Sequence, residues 1–229
     1  MIVLNQVSLT RPLGRVSTIR VLNDVTFELS KGDRIALIGS NGSGKTTLLR
    51  LLAGIFPPSS GTLYTPGDIE SILDSGFGLD LWLSGLENAR TRLTISGVRR
   101  DQISSSISWI RDFSGLGEAF ERPVRTYSSG MLARLAFSIT CLRSHQVLLI
   151  DEGFGTLDAE FQARARRHLD VILHQTAVLV LASHNVEMLR EYCNKGILLI
   201  AGRVLYFGEL DAALEQYSVL VKQSAVDLS

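Results

Sequence analysis

The hydrophobic pattern of this chain changes period several times. Residues 2–9 and 21–29 alternate apolar and polar positions, as in VTFEL, which predicts half-buried strands around a polar loop, TRPLGRVSTIR. RIALIGS predicts a buried strand over 34–39, and TTLLRLLAGI repeats leucines at helical spacing over 45–54. Pro57, Pro58, Ser59, Ser60 and Gly61 mark a turn, after which GTLYT and DIESIL are short β candidates. From about Leu83 to Leu142 the pattern is helical. QVLLIDE is a buried strand, a helix over 158–174 follows, and AVLVLAS is a second buried strand. NVEMLREYC predicts a short helix. GILLIAGRVLYFGEL predicts a hairpin turning at Ala201–Gly202, and a helix over about 210–221 follows it.

Buried runs separated by helices indicate a mainly parallel α/β core, with antiparallel β at the start and end and a helical lobe inserted in the middle. The expected organisation is one domain over 1–229. Its core spans 1–82 and 144–229, and its helical subdomain spans about 83–143. The 229 residues are 45% hydrophobic, enough for a sizeable core. AVLVLA and GILLIAG are far too short to cross a bilayer, so work at a membrane requires another subunit to supply the spans. MIVLNQVSLTR alternates like a strand, so no signal peptide is expected. The net charge of +0 implies no basic face and argues against nucleic acid as a partner. Arg99–Arg100 and Arg164, Arg166 and Arg167 read as solvated helix faces. Cys141 and Cys193 lack metal-ligand spacing and read as reduced, buried small hydrophobes.

The stretch GSNGSGKTT changes the picture. Gly39, Gly44, Lys45 and Thr46 match a phosphate-binding loop, with Ser40, Asn41, Gly42, Ser43 and Thr47 completing it. A loop between a strand and a helix start turns several backbone N–H groups toward one point, and the helix dipole adds to them. Lys45 can reach the β- and γ-phosphates, and the Thr46 hydroxyl can ligate Mg²⁺. Asp151 and Glu152 end a buried strand. Asp151 is placed to help hold Mg²⁺, and Glu152 to polarise a water for attack on the γ-phosphate. His184, directly after AVLVLAS, could contact the γ-phosphate or hold that water. Ser128, Ser129 and Gly130 precede an apolar-periodic helix. They read either as an N-cap or as an anion site at the helix N-terminus.

In this order, the loop, YSSGM, VLLIDE, GTLD at Gly155–Asp158 and His184 resemble the motifs of the ATP-binding-cassette (ABC) ATPases, with YSSGM in place of the commoner LSGGQ. The resemblance covers residues 1 to about 215. It implies an ABC-type P-loop α/β fold and an ATPase using ATP and Mg²⁺. It also implies a head-to-tail homodimer with ATP sandwiched between Gly39–Thr47 of one chain and Ser128–Gly130 of the other. An integral-membrane permease would be the partner, at the cytoplasmic face of the membrane. SGFGLDLWLSGLENA, with Gly76–Phe77 and Ser84–Gly85–Leu86–Glu87–Asn88, is similar to the subunits that export lipid-linked polysaccharides such as O-antigen, capsule or teichoic acid. The alternatives are a cassette for another cargo, such as a drug, peptide or imported solute, or a soluble cassette acting on DNA or ribosomes.

Two family features are missing. The first aromatic is Phe27, inside a strand, so stacking on the adenine is expected to be reduced, or supplied by Arg11 or Arg15. No Gln occurs from Arg50 to Asp101, and Ser71, Asp74 or Ser75 is expected in its place. Leu81 and Leu83 are expected in the helical lobe's core, and Trp82 and Phe77 at a partner surface.

Overall fold

The computed structural model describes residues 1–14, 17–72, 78–151 and 158–226. In chain order the elements begin with β1 (Ile2–Leu13), β2 (Ser17–Leu29), β3 (Arg34–Ile38), α1 (Lys45–Leu52), β4 (Ser60–Tyr64) and β5 (Ile69–Ile72). Next come α2 (Gly85–Ile95), α3 (Arg100–Ser114), two 3₁₀ turns (Gly117–Glu121 and Val124–Thr126) and α4 (Ser129–Thr140). The last group is β6 (Val147–Asp151), α5 (Ala159–Gln175), β7 (Val178–Ala182), α6 (Val186–Tyr192), β8 (Lys195–Ile200), β9 (Arg203–Glu209) and α7 (Leu210–Val226). They divide into two compact units. One holds residues 1–71, 145–152 and 176–229, and the other 72–144 and 153–175.

The first unit carries two sheets, ordered β2-β1-β4 and β5-β6-β7-β3-β8-β9. β3 pairs in parallel with β7 and β8, and β6 with β7, while β8 and β9 form an antiparallel hairpin. Every residue of β6 and β7 is buried, as continuous apolar strands covered on both faces require. The α/β class with a mainly parallel core sheet and an N-terminal antiparallel sheet is therefore the fold of this chain.

One expected loop is largely strand. Residues 10–20 were expected to be a polar connection, but Thr10↔Arg20, Arg11↔Ile19, Pro12↔Thr18 and Leu13↔Ser17 are paired. This arm of the hairpin is exposed on both faces, so its pairing leaves no hydrophobic alternation to read. Its root is anchored by Thr10 N–H donating to Ser59 Oγ at 3.0 Å.

The second unit is helical. Ala89, Leu93, Ile107, Ile110, Phe120, Val124, Tyr127 and Leu135 are buried together between α2, α3, α4 and the 3₁₀ turns. Trp109 stacks on Phe113 at 4.6 Å, and His168 of α5 packs against both rings while bonding the Cys141 carbonyl at 2.7 Å. The start of α2 is closed by a capping box. Glu87 N–H donates to Ser84 Oγ, and Ser84 N–H donates to Glu87 Oε2. Those bonds hold the Glu87 carboxyl below the usual carboxylate range, with the Ser84 backbone N–H the main cause.

Ser84→Ala removes the cap acceptor of a buried helix start. It should destabilise the helical unit by about 1 kcal/mol, read from the midpoint of urea unfolding. An unchanged midpoint would mean that the Ser84–Pro123 bridge holds the turn without the cap.

Candidate active site

β6, β7 and β3 are neighbours, with Asp151 level with Ala182 and Ala182 level with Leu37. Their carboxyl ends therefore present Asp151, the segment around His184 and the Gly39–Thr47 loop along one edge. In open α/β sheets, ligands bind at this edge. Asp151 is buried, at 4% exposure. His184 is exposed, between the end of β7 and Asn185, the N-cap of α6. Glu152 lies outside the described residues.

The loop's walls are made of backbone. A Cβ on Gly39 would stand 2.2 Å from the Leu199 carbonyl oxygen of β8 and 2.6 Å from Ser43 Oγ. Gly44 has φ +107°, and a Cβ there would lie 3.2 Å from the Val21 carbonyl oxygen of β2. Lys45 is buried, and its ammonium donates to the Gly39 carbonyl at 2.7 Å and the Ser40 carbonyl at 3.1 Å. These bonds compensate the charge for burial and hold it at the loop's mouth. The Ser43 hydroxyl is buried with no hydrogen-bond partner in the protein, which suits a polar ligand atom in the loop. Thr46 is half-buried in the first turn of α1, while Ser40, Asn41 and Gly42 are exposed.

Sequence reading missed Gly202. Its N–H donates to the Ser43 carbonyl at 2.9 Å, and its carbonyl accepts from Asn23 N–H at 2.9 Å. With φ +75°, and with a Cβ 2.2 Å from the Val21 carbonyl, it admits no side chain. The β8–β9 turn therefore props the loop from behind. The only signal in the sequence was a glycine in a hairpin turn.

The helical unit holds the other predicted residues. Ser128 is the N-cap of α4, and its hydroxyl accepts from Met131 N–H at 3.3 Å. The capping reading is therefore realised, while Ser128 and Ser129 remain exposed. Gly115, Leu116, Ser128, Gly130, Arg134 and Asp158 line an open bowl of about 410 Å³ at this helix end. Asp158 bonds Arg134 and accepts from Phe161 N–H, and it is held below the usual carboxylate range, first by Phe161 N–H and then by Arg134.

The structure places other sequence-picked residues as well. The Arg11 guanidinium lies 4.6 Å over the Phe56 ring. Ser71 sits in β5, while Arg15, Asp74, Ser75, Gly76, Phe77 and Gly155–Leu157 lie outside the described residues. Trp82 is 75% exposed, as expected, but Leu81 is 47% exposed and Leu83 only half-buried, against the expected core positions. The cause is Asn88, which is buried and grips the 80–84 turn. Its amide donates to the carbonyls of Asp80, Leu83 and Ser84, and its Oδ1 accepts from Asp80 N–H. A turn held by backbone bonds from within directs its side chains outward.

The family model described as "ABC transporter" matches residues 22–155, from β2 through the loop and Ser128–Gly130 to the segment after Asp151. The chain belongs to the ABC transporter family. It is an ABC-type ATPase, and its nucleotide is ATP. It is 41% identical over 182 residues to the O-antigen export system ATP-binding protein RfbE of Yersinia enterocolitica, covering 80% of this chain and 76% of that protein. It is 36% identical over 206 residues to the teichoic acids export ATP-binding protein TagH of Staphylococcus saprophyticus, covering 90% and 78%. In fold it matches the ATP-binding cassette MJ0796 bound to ADP and Pi, with a TM-score of 0.78 over 92% of this chain and 99% of that one, at 20% identity. Among the described residues of this cassette, no helix is long and apolar enough to cross a membrane.

Gly39→Ala should weaken ATP binding by at least about tenfold, because overpacking against fixed backbone typically costs 1–3 kcal/mol. Fluorescent-nucleotide titration checks this. Binding within twofold of the parent would show that the loop can shift to admit a methyl.

Proposed function

We propose that this chain powers export of a lipid-linked polysaccharide, of O-antigen, capsule or teichoic acid type, as the ATPase subunit at the cytoplasmic face of the membrane. One observation carries the reading: the chain shares 41% and 36% identity, over four fifths or more of its length, with ATP-binding proteins named for export of O-antigen and of teichoic acids. An integral-membrane permease would supply the spans, and one domain with an inserted helical subdomain would supply the motor.

In this mechanism the cassettes pair head to tail. Gly39–Thr47 of one copy cradles the phosphates, and Ser128, Ser129 and Gly130 of the other close over the γ-phosphate. The half-exposed N-terminal end of α4 supports that second role, since its leading N–H groups and dipole favour an anion. The Thr46 hydroxyl and Asp151 carboxylate are hard oxygen donors of the kind Mg²⁺ takes, so the donor set fits that ion. Thr46 and Asp151 would hold the ion, and its charge would offset the negative charge that develops on the phosphates. Lys45 stabilises the transferred group. Glu152 polarises the attacking water, and His184 holds that water or the γ-phosphate. Arg11, backed by the Phe56 ring, is the described residue proposed to face the base.

Deleting the protein should make lipid-linked glycan accumulate inside the cell. The parent chain should restore export and Glu152→Gln should not, while the purified Glu152→Gln protein binds ATP and collects as a closed dimer with turnover nearly abolished. Normal steady-state hydrolysis by that variant would remove Glu152 from the base role. Unchanged glycan export on deletion would point instead to another cargo, or to a soluble role.

The permease contact is proposed at Trp82. Its ring is exposed yet braced, because the Arg125 guanidinium packs 4.9 Å from it, while the Trp82 backbone N–H donates to Asp80 Oδ1 and holds the main chain in place. A rigid exposed aromatic has the character of an interface anchor, typically worth 2 kcal/mol or more. Trp82→Ala should leave ATP hydrolysis by the isolated subunit within about threefold, and should sharply reduce co-purification with the permease. Full assembly and export by that variant would remove Trp82 from the interface.

A further inference from the structure

β1 and β2 do not pair in an even ladder. Val7 stands against Val25 and Leu9 against Leu22, so Ser8 alone faces both Asn23 and Asp24. This is a bulge on β2, an insertion that bends a strand and re-aims its groups. Val21 is a second extra residue, falling between the Leu9–Leu22 and Thr10–Arg20 pairs with no β1 residue opposite. Ser8 closes the bulge. Its buried hydroxyl accepts from Asp24 N–H at 3.0 Å and donates to Asp24 Oδ1 at 3.2 Å, and Asp24 holds φ +51°. Arg20 Nη1 donates to Asn23 Oδ1 at 3.1 Å. Turned away from β1, Asn23 N–H donates to the Gly202 carbonyl at 2.9 Å. The Val21 carbonyl oxygen lies 3.2 Å from where a Cβ on Gly44 would stand and 2.2 Å from the same point on Gly202. Both extra residues of β2 therefore meet the β8–β9 turn.

On the other side of that turn, Gly202 N–H donates to the Ser43 carbonyl at 2.9 Å. The peptide joining Ser43 to Gly44 is planar and trans, so its C=O and N–H point in opposite directions. Drawing the Ser43 carbonyl back toward Gly202 aims the Gly44 N–H forward, away from the turn. Gly44 is the N-cap of α1, so this N–H joins the helix's leading donors. Ala201 and Gly202, the two central residues of the turn, hold φ +45° and +75°. An alanine is strained there, and such strain persists only where the surroundings over-determine it. We propose that Gly202 is a positioning residue for ATP binding, and that the β2 bulge and the β8–β9 turn form a clamp presetting the Gly44 N–H toward the phosphates. The inference rests on the reading of Gly39–Thr47 as the phosphate cradle. Gly202 itself touches no nucleotide. It acts by ordering a donor before the ligand arrives, which removes that cost from binding.

The test measures fluorescent-ATP affinity on the full chain, with urea unfolding as the check on the fold. Gly202→Ala forces the turn off Val21 and should weaken binding by at least about tenfold. An ester in place of the Gly202 amide, made by cell-free translation with glycolic acid, removes the N–H and adds no bulk. It should weaken binding about fivefold, the size of one neutral hydrogen bond. Asp24 is exposed, so its variants act only through the bulge. Asp24→Val, a β-branched residue at positive φ, should also weaken binding about fivefold, while Asp24→Asn, which tolerates that conformation, should stay within about twofold of the parent. In protein labelled with ¹⁵N-glycine, MgATP should move the Gly44 N–H resonance downfield in the parent and less in the ester variant. Parent-strength binding by the ester or by Asp24→Val, or a parent-sized Gly44 shift in the ester, would overturn the proposal. Lys45→Ala separates the clamp from the cradle. Lost ATP binding in Lys45→Ala beside parent-strength binding in the ester sinks the clamp alone. Parent-strength binding by Lys45→Ala sinks the cradle reading, and the clamp with it.

Discussion

The Leu199 carbonyl oxygen sits 2.2 Å from the place a Cβ on Gly39 would occupy, and the Val21 carbonyl oxygen is 2.2 Å from the corresponding point on Gly202. Close approach of backbone to backbone is the constraint on which the nucleotide site depends. A polyphosphate needs many N–H donors aimed into one small volume, and only chain without side chains can be packed that tightly. The loop cannot hold this shape alone. β2, β8 and the β8–β9 turn surround it, and the turn's Gly202 bonds both Ser43 and Asn23. The parallel sheet behind supplies the rigidity, and its strands β6 and β7, buried throughout and apolar up to the last residue of β6, also explain why Asp151 and His184 appear only where those strands end.

The helical unit solves a different problem. It presents polar groups on the surface while its helices converge on a common core. Ser128 shows how one residue meets both demands. Its hydroxyl satisfies Met131 N–H, so the helix start is stable, and the exposed position leaves the rest of that end open. Asn88 does similar work from the inside. By bonding the backbone of the 80–84 turn, it frees Leu81 and Trp82 from packing duty and points them outward. A glycine at position 85 is required there too, because a Cβ would stand 2.6 Å from the Tyr127 hydroxyl. The Ser84–Asn88 stretch thus has a structural meaning of its own: a capped helix start that clamps the turn before it.

Much of this was legible in the residue order. The phosphate loop needs particular residue types at particular spacings because backbone geometry and phosphate chemistry leave few alternatives. The buried strands needed only their apolar runs, and the hairpin at Ala201–Gly202 showed in its alternation and its glycine. These are local consequences of chain chemistry. What tertiary structure decided was everything that depends on partners distant in the chain. The pairing of residues 10–13 with 17–20 has no periodic signature, because both faces of that arm meet water. Gly202 looks like any turn glycine until Val21 and Ser43 close around it. Leu81 looks like a core leucine until Asn88 turns it away. Only the fold brings Arg134 to Asp158, because a salt bridge between separate helices is set by how those helices pack and leaves no pattern in either one.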